Sequence, residues 1–247
     1  MSANKSSEHL LESGRRRIPY RLVREERKRY RIVVAPDLRV TASAPLQATD
    51  AEIEAMLKGK MRWIAHKLDL VESFIPLPSP LRYMSGETIR YLGRQYRLKV
   101  ESGERAPAKL KGKFLYVCVP DKKNSGAIKA TVEGWYQNRA EKTFKRYMVK
   151  CVEVASRHGI QEASFILRKM QTRWGSCSRK GRITLNTHLI QAPVHCIEYV
   201  IMHELCHLKH HNLSPAFYRL LTRCMPDWEQ RKEVLDRIAL PNDNKEG

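Results

Sequence analysis

Residues 203–207 read His203-Glu204-Leu205-Cys206-His207. Four residues advance about 400° round an α-helix, so the two imidazoles share a face to within about 40° and stand one turn apart. Two ring nitrogens so placed can reach one ion. Glu204, directly after the first histidine, falls beside any water that ion carries. This is the ligand pair and general base of a zinc hydrolase.

The motif needs a helix beneath it, and the flanks supply one. Pro193 suits a first helical turn, where its missing N–H costs nothing. Ile197, Val200, Ile201, Leu205 and Leu208 recur at helical spacing. Asn212, Ser214 and Pro215 signal a stop and a restart. The spacing predicts a largely buried helix over 193–211 with the motif near its C-terminal end. On it Cys206 faces away from the histidine pair and reads as core. His195, two turns before His203, reads as a core histidine rather than a ligand.

At 247 residues the chain suffices for one large or two modest domains. The polar start lacks the apolar run of a signal peptide, and no apolar stretch approaches the length of a membrane span. A cytoplasmic protein is expected, its six scattered cysteines reduced. No CxxC pair occurs, which excludes a cysteine-rich zinc knuckle. Lys and Arg number 46 against 26 Asp and Glu, a net charge of +20. That bias favours anionic partners such as nucleic acid or nucleotides.

Residues 1–14 read as a disordered leader and 241–247 as a tail. From 15 to 120 the chain reads as β-rich with one helix. Ile18, Tyr20 and Leu22, then Tyr30, Ile32 and Val34, alternate as two strands paired with each other. A third strand, 39–44, follows a Pro36-Asp37 turn. Thr49 and Glu52 form a capping box for a helix over 49–74. Pro76, Pro78 and Pro80 form a stiff connector. Strands follow at 89–91, 95–100 and 114–119, with a hairpin signal at Gly93-Arg94. From 121 to 240 helices dominate. The long helix 127–158 has Val132, Trp135, Tyr136, Ala140, Phe144, Tyr147, Met148 and Cys151 as its inner face. Two short strands, 164–170 and 182–186, flank a polar loop. No internal repeat is legible.

Three segments taken together carry a resemblance: Arg173-Trp174-Gly175-Ser176-Cys177-Ser178, Ile183-Thr184-Leu185-Asn186, and Tyr199-Val200 leading into the 203–207 motif. They resemble the YgjP-like metallopeptidase family, akin to the SprT-like and WLM zinc peptidases. Residues 29–44, Arg62-Trp63-Ile64, Tyr91-Leu92-Gly93-Arg94 and Trp135-Tyr136 are also similar to it, so the likeness covers roughly residues 15–235. It implies an α+β fold, a β-rich N-terminal part followed by a zincin-like part whose motif helix packs on a small sheet. It also implies one zinc ion on His203 and His207, with a metal-held water that loses its proton to Glu204 and attacks a peptide carbonyl. A strand within 182–186 would pair with the extended peptide, and Arg173, His210 or Tyr218 would steady the oxyanion. Asn186 and Ser176 would hydrogen-bond the ligand imidazoles.

The family pattern carries a third histidine where this chain has Leu213, and leucine binds no zinc. A catalytic zinc takes three protein donors. His211, at the expected helix end, is the favoured replacement, with His210, Asp227, Glu229 or no third donor as alternatives. Two other readings stay open. Arg173, Arg168 and Lys169 could clamp the phosphates of a nucleotide whose anhydride is hydrolysed. The strand-borne arginines could instead track nucleic-acid phosphates beside a weakened metal site.

Overall fold

The computed structural model describes residues 6–13, 16–27, 29–35, 38–72, 81–161 and 163–238. It divides into two compact units, Met1–Ser79 and Pro80–Gly247. The Pro36-Asp37 turn, the 76–80 connector and the 241–247 tail lie outside the described residues.

The first unit is a four-stranded sheet with two helices. Its strands are β1 (Ser6–Ser13), β2 (Arg16–Glu25), β3 (Arg31–Val34) and β4 (Val40–Pro45), in the order β1-β2-β4-β3. The expected leader is therefore a strand over most of its length, antiparallel to β2 along eight paired positions. Its polar sequence hides this because, among the residues of the strand whose burial is described, Leu11 alone is deeply buried. Strands β2 and β3 do not pair with each other, because β4 lies between them. Val40, Ala42 and Ala44 give β4 a small apolar face suited to that central place. The expected single helix is two, α1 (Asp50–Gly59) and α2 (Met61–Glu72), broken at Lys60. The Thr49–Glu52 capping box opens α1 as expected. Ile53, Leu57, Met61 and Ile64 close the core over Ile18, Tyr20 and Leu22.

The second unit opens with β5 (Thr88–Tyr91), β6 (Arg94–Ser102), β7 (Ala106–Lys111) and β8 (Phe114–Val119), in the order β5-β6-β8-β7. Strand order and senses repeat those of the first sheet: antiparallel, parallel, antiparallel. The repetition is topological, and the sequence carries no trace of it. The inner face of this sheet, Ile89, Leu98, Val100, Leu115 and Val117, shares one core with the long helix α3 (Ser125–Ser156). The chain thus divides before this sheet, not after it at 120. All eight residues expected on the inner face of α3 are buried.

A second, three-stranded sheet comprises β9 (Phe165–Arg168), β10 (Gly175–Cys177) and β11 (Ile183–Asn186), in the order β10-β11-β9. Part of the expected polar loop is thus strand β10. A 3-10 turn, Thr187–Gln191, leads to α4 (Val194–His207), then α5 (Pro215–Cys224) and α6 (Trp228–Asp236). The β5–β6 turn fixes where α4 begins. Leu92 (φ 49°) and Gly93 (φ 79°) form a left-handed pair there. Their N–H groups donate to Ile190 and Gln191 carbonyls at 2.9 and 3.1 Å. A Cβ on Gly93 would lie 2.8 Å from the Pro193 ring. The architecture is α+β, with six α-helices among the described residues. None of them is long and apolar enough to cross a membrane.

Candidate metal centre

Helix α4 is buried along most of its length, with Ile197, Val200, Ile201, Leu205 and Cys206 in the core. His203 and His207 project from one face, ring centroids 4.8 Å apart and nearly perpendicular. Phe217, on α5, packs against both, 4.5 Å from His207 and 5.0 Å from His203. Tyr199, one turn earlier on α4, meets His203 edge-on at 5.8 Å. The Ser214 hydroxyl caps α5 by accepting from Phe217 N–H at 3.3 Å, which seats the ring.

Helix α4 ends at His207, and the chain turns there. His207 Nδ1 lies 3.0 Å from the His210 carbonyl oxygen. A carbonyl only accepts, so the proton sits on Nδ1 and the lone pair on Nε2. Both rings resist protonation. Burial, then the neighbouring His207, then Lys232 hold His203 down at about 4. His207 is also lowered, by burial and by His211, against the favourable His210 carbonyl. At neutral pH the pair presents uncharged imidazoles, the form that ligates a metal.

Glu204 is 5% exposed, and its Oε2 has no hydrogen-bond partner among the described residues. Burial pushes its carboxyl up to about 8, against the opposing pull of Arg173. Its other oxygen lies against Gly175 of β10: a Cβ at that position would meet Oε1 at 2.7 Å. Cys177, two residues along β10, feels the same carboxyl, its thiol raised by burial and then by Glu204. The edge strand and the motif helix thus meet at Glu204.

The donor chemistry fits a metal in part. Two neutral imidazoles, one with its tautomer fixed, share one face of α4, and the residue after the first carries a buried carboxyl with an unpartnered oxygen. Among the described residues no third His, Cys, Asp or Glu stands close enough to complete a three-donor site. Leu213 is 56% exposed and precedes the α5 cap. His211 is exposed and near enough to His207 to disfavour its protonation. His210 is off the helix and contributes its carbonyl to His207. Asp227 is engaged by Arg231 at 2.8 Å. Glu229 lines an open hollow with Tyr218, Arg219 and Trp228 that reaches neither histidine. Tyr218 stacks on Trp228 at 5.4 Å.

Three expectations change. Strand β11 is the central strand, paired on both sides, so it has no free edge for a peptide. Asn186 does not reach the imidazoles. Fully buried, it donates to the Met170 and Arg173 carbonyls at 2.7 and 2.9 Å and accepts from His188 N–H at 3.1 Å. It ties down the 170–174 loop that leads into β10. His195 is exposed rather than core, and its carbonyl accepts from Arg231 at 3.4 Å. Gly175 and Phe217 are the contacts that spacing along α4 could not reveal, since they come from β10 and α5.

The sequence matches the family model described as YgjP-like, metallopeptidase domain, over residues 28–238. No curated protein matches it. Among solved structures it is similar to the metallopeptidase zymogen abylysin of Pyrococcus abyssi, at 24% identity and a TM-score of 0.34, covering 38% of this chain and 90% of that one. By the extent of the family match, this chain belongs to the YgjP-like metallopeptidase family.

Proposed function

We propose that this protein is a zinc-dependent peptidase in which His203 and His207 hold the metal and Glu204 is the general base and acid. The carrying observation is a pair of uncharged imidazoles on one face of α4, the residue directly after the first of them carrying a buried carboxyl whose Oε2 has no partner among the described residues. His211 is the third donor, reached by a rearrangement of the 208–214 turn. A zinc held there would polarise a carbonyl and lower the pKa of water to about 7. A nearby cation also favours the ionised form of Glu204 over its buried acid form. Glu204 then takes a proton from the attacking water and returns it to the leaving amine. Gly175 keeps the space in which that carboxyl sits. The outer edge of β10, next to Glu204, is where an extended peptide would add as a strand. Arg173, close enough to draw the Glu204 pKa down, stands on the same side for a developing negative charge.

For the nucleotide reading, Lys169 pairs with Glu133 at 2.6 Å, a partly exposed contact that a phosphate could displace. The test is digestion of a peptide mixture by zinc-supplemented full-length protein, read by mass spectrometry. New termini should appear with the unmodified chain and vanish in Glu204→Gln. Release of pyrophosphate or phosphate from nucleoside triphosphates without peptide cleavage would sink the proposal.

A further inference from the structure

The sheet of β5 to β8 has a second face that neither core nor metal centre uses. Leu98, Val100, Leu115 and Val117 point inward, so their neighbours along each strand point to solvent. On that outer face β8, lying between β6 and β7, carries Phe114 and Tyr116. The register puts Arg97 on one side of Phe114 and Lys111 on the other. It puts Lys99 on one side of Tyr116 and Lys109 on the other. Two successive rows therefore read cation, aromatic ring, cation.

The rings are accessible. Phe114 is 41% exposed and Tyr116 is half-buried. Their centroids lie 6.2 Å apart at 65°. Lys99 Nζ stands 4.9 Å and Lys111 Nζ 5.9 Å from the Tyr116 centroid. In the next row Glu101, opposite Cys118, pairs with Lys99 at 3.6 Å, an exposed contact that is easily exchanged. One lysine beside one tyrosine is an ordinary cross-strand pair. It does not call for a large exposed phenylalanine, nor for cations on both flanks of both rings. Round the β7 edge, the positive surface continues into a groove of about 600 Å³ lined by Arg105, Arg139 and Lys142. None of these three has an ion-pair partner among the described residues.

We propose that this face binds single-stranded nucleic acid, with bases stacked on Phe114 and Tyr116 and phosphates met by Arg97, Lys99, Lys109 and Lys111. Flat rings on an open sheet stack on any unpaired base, and flanking cations track the backbone. A duplex hides its bases, and an acidic peptide leaves the rings idle, so neither uses both halves of the pattern. The net charge of +20 supplies the long-range attraction. The proposal is independent of the metal centre.

The test is fluorescence anisotropy of the full chain with labelled strands of about 12 nucleotides, as RNA, as DNA and as the matching duplex. Phe114→Leu with Tyr116→Leu keeps apolar cover while removing the stacking faces, and circular dichroism confirms the fold. Single strands should bind more tightly than duplex, and the double variant should lose about tenfold to 100-fold for single strands with duplex binding unchanged. The tighter of the RNA and DNA strands identifies the source. Lys109→Gln with Lys111→Gln should weaken every nucleic acid and flatten the salt dependence by about one to two units of slope. No binding near 0.1 M salt, equal binding of duplex and single strand, or leucine variants that bind like the unmodified chain would each overturn it.

Discussion

A Cβ placed on Gly175 would lie 2.7 Å from Oε1 of Glu204 and 2.9 Å from its Cγ. The glycine is thus part of the site although it carries no functional group. Gly175 is not among the positive-φ residues, so alanine is compatible with its backbone and only the collision changes. Gly175→Ala should cost about 1–3 kcal/mol through overpacking. It should lower kcat of the zinc-loaded enzyme by about 100-fold through displacement of the carboxyl. Thermal denaturation and peptide cleavage read the two effects separately. Full activity in this variant would mean that Glu204 is not held where it must act.

Phe217 holds both imidazoles at once and is fully buried. Phe217→Ala should destabilise the fold by about 3–5 kcal/mol. Phe217→Leu fills much of the volume without the flat surface. It should remain folded yet bind zinc about tenfold to 100-fold more weakly. Competition against a chromophoric chelator measures this, and unchanged affinity would show that the ring only fills space.

Burial sets opposing pH dependences in the metal-free protein. The histidines have folded pKa values below their ordinary 6.5, so protonation favours the unfolded chain and their contribution is lost as pH falls below about 6.5 toward 4. Glu204 is raised from 4.5 to about 8, so its contribution is full below 4.5 and is lost as pH rises through 8. Between 4.5 and 6.5 the two slopes oppose each other. Between 6.5 and 8 Glu204 acts alone, and stability should fall as pH rises. Urea unfolding after chelation should show that fall, and Glu204→Gln should abolish it. An identical slope in the variant would assign the effect elsewhere.

Asn186 anchors the loop into β10 through the Met170 and Arg173 carbonyls. Asn186→Ala leaves buried carbonyls unpaired and should cost about 1–3 kcal/mol. Because that loop carries Arg173 and leads to Gly175, kcat should fall as well. A variant with lowered stability but unaltered kcat would confine Asn186 to a folding role.

Local chemistry was legible wherever neighbours in sequence decide it. The Thr49–Glu52 box, the inner face of α3 and the buried character of α4 follow from spacing alone, and all three are present. Non-local pairing was not legible. Strand β1 shows one deeply buried side chain and is held by its hydrogen bonds to β2, which leave little mark on composition. The insertion of β4 between β2 and β3 is fixed by the whole unit rather than by a turn.

At the site, the His203–Glu204–His207 geometry was readable because helical periodicity fixes it. The end of α4 at His207 was not, since the residues beyond it carry no proline or glycine before Ser214. That end removes His210 from the shared face and turns its carbonyl toward His207. The contacts of Gly175 and Phe217 depend on how β10 and α5 dock on α4, a matter of tertiary packing.

Zinc content, measured by elemental mass spectrometry on full-length protein purified without chelator or nickel affinity resin, decides whether His203 and His207 hold a metal. About one zinc per chain is expected, falling to background in His207→Ala and reduced in His211→Ala. Background zinc in the unmodified chain after zinc supplementation, or zinc retained when His203 and His207 are both replaced by alanine, would contradict that assignment.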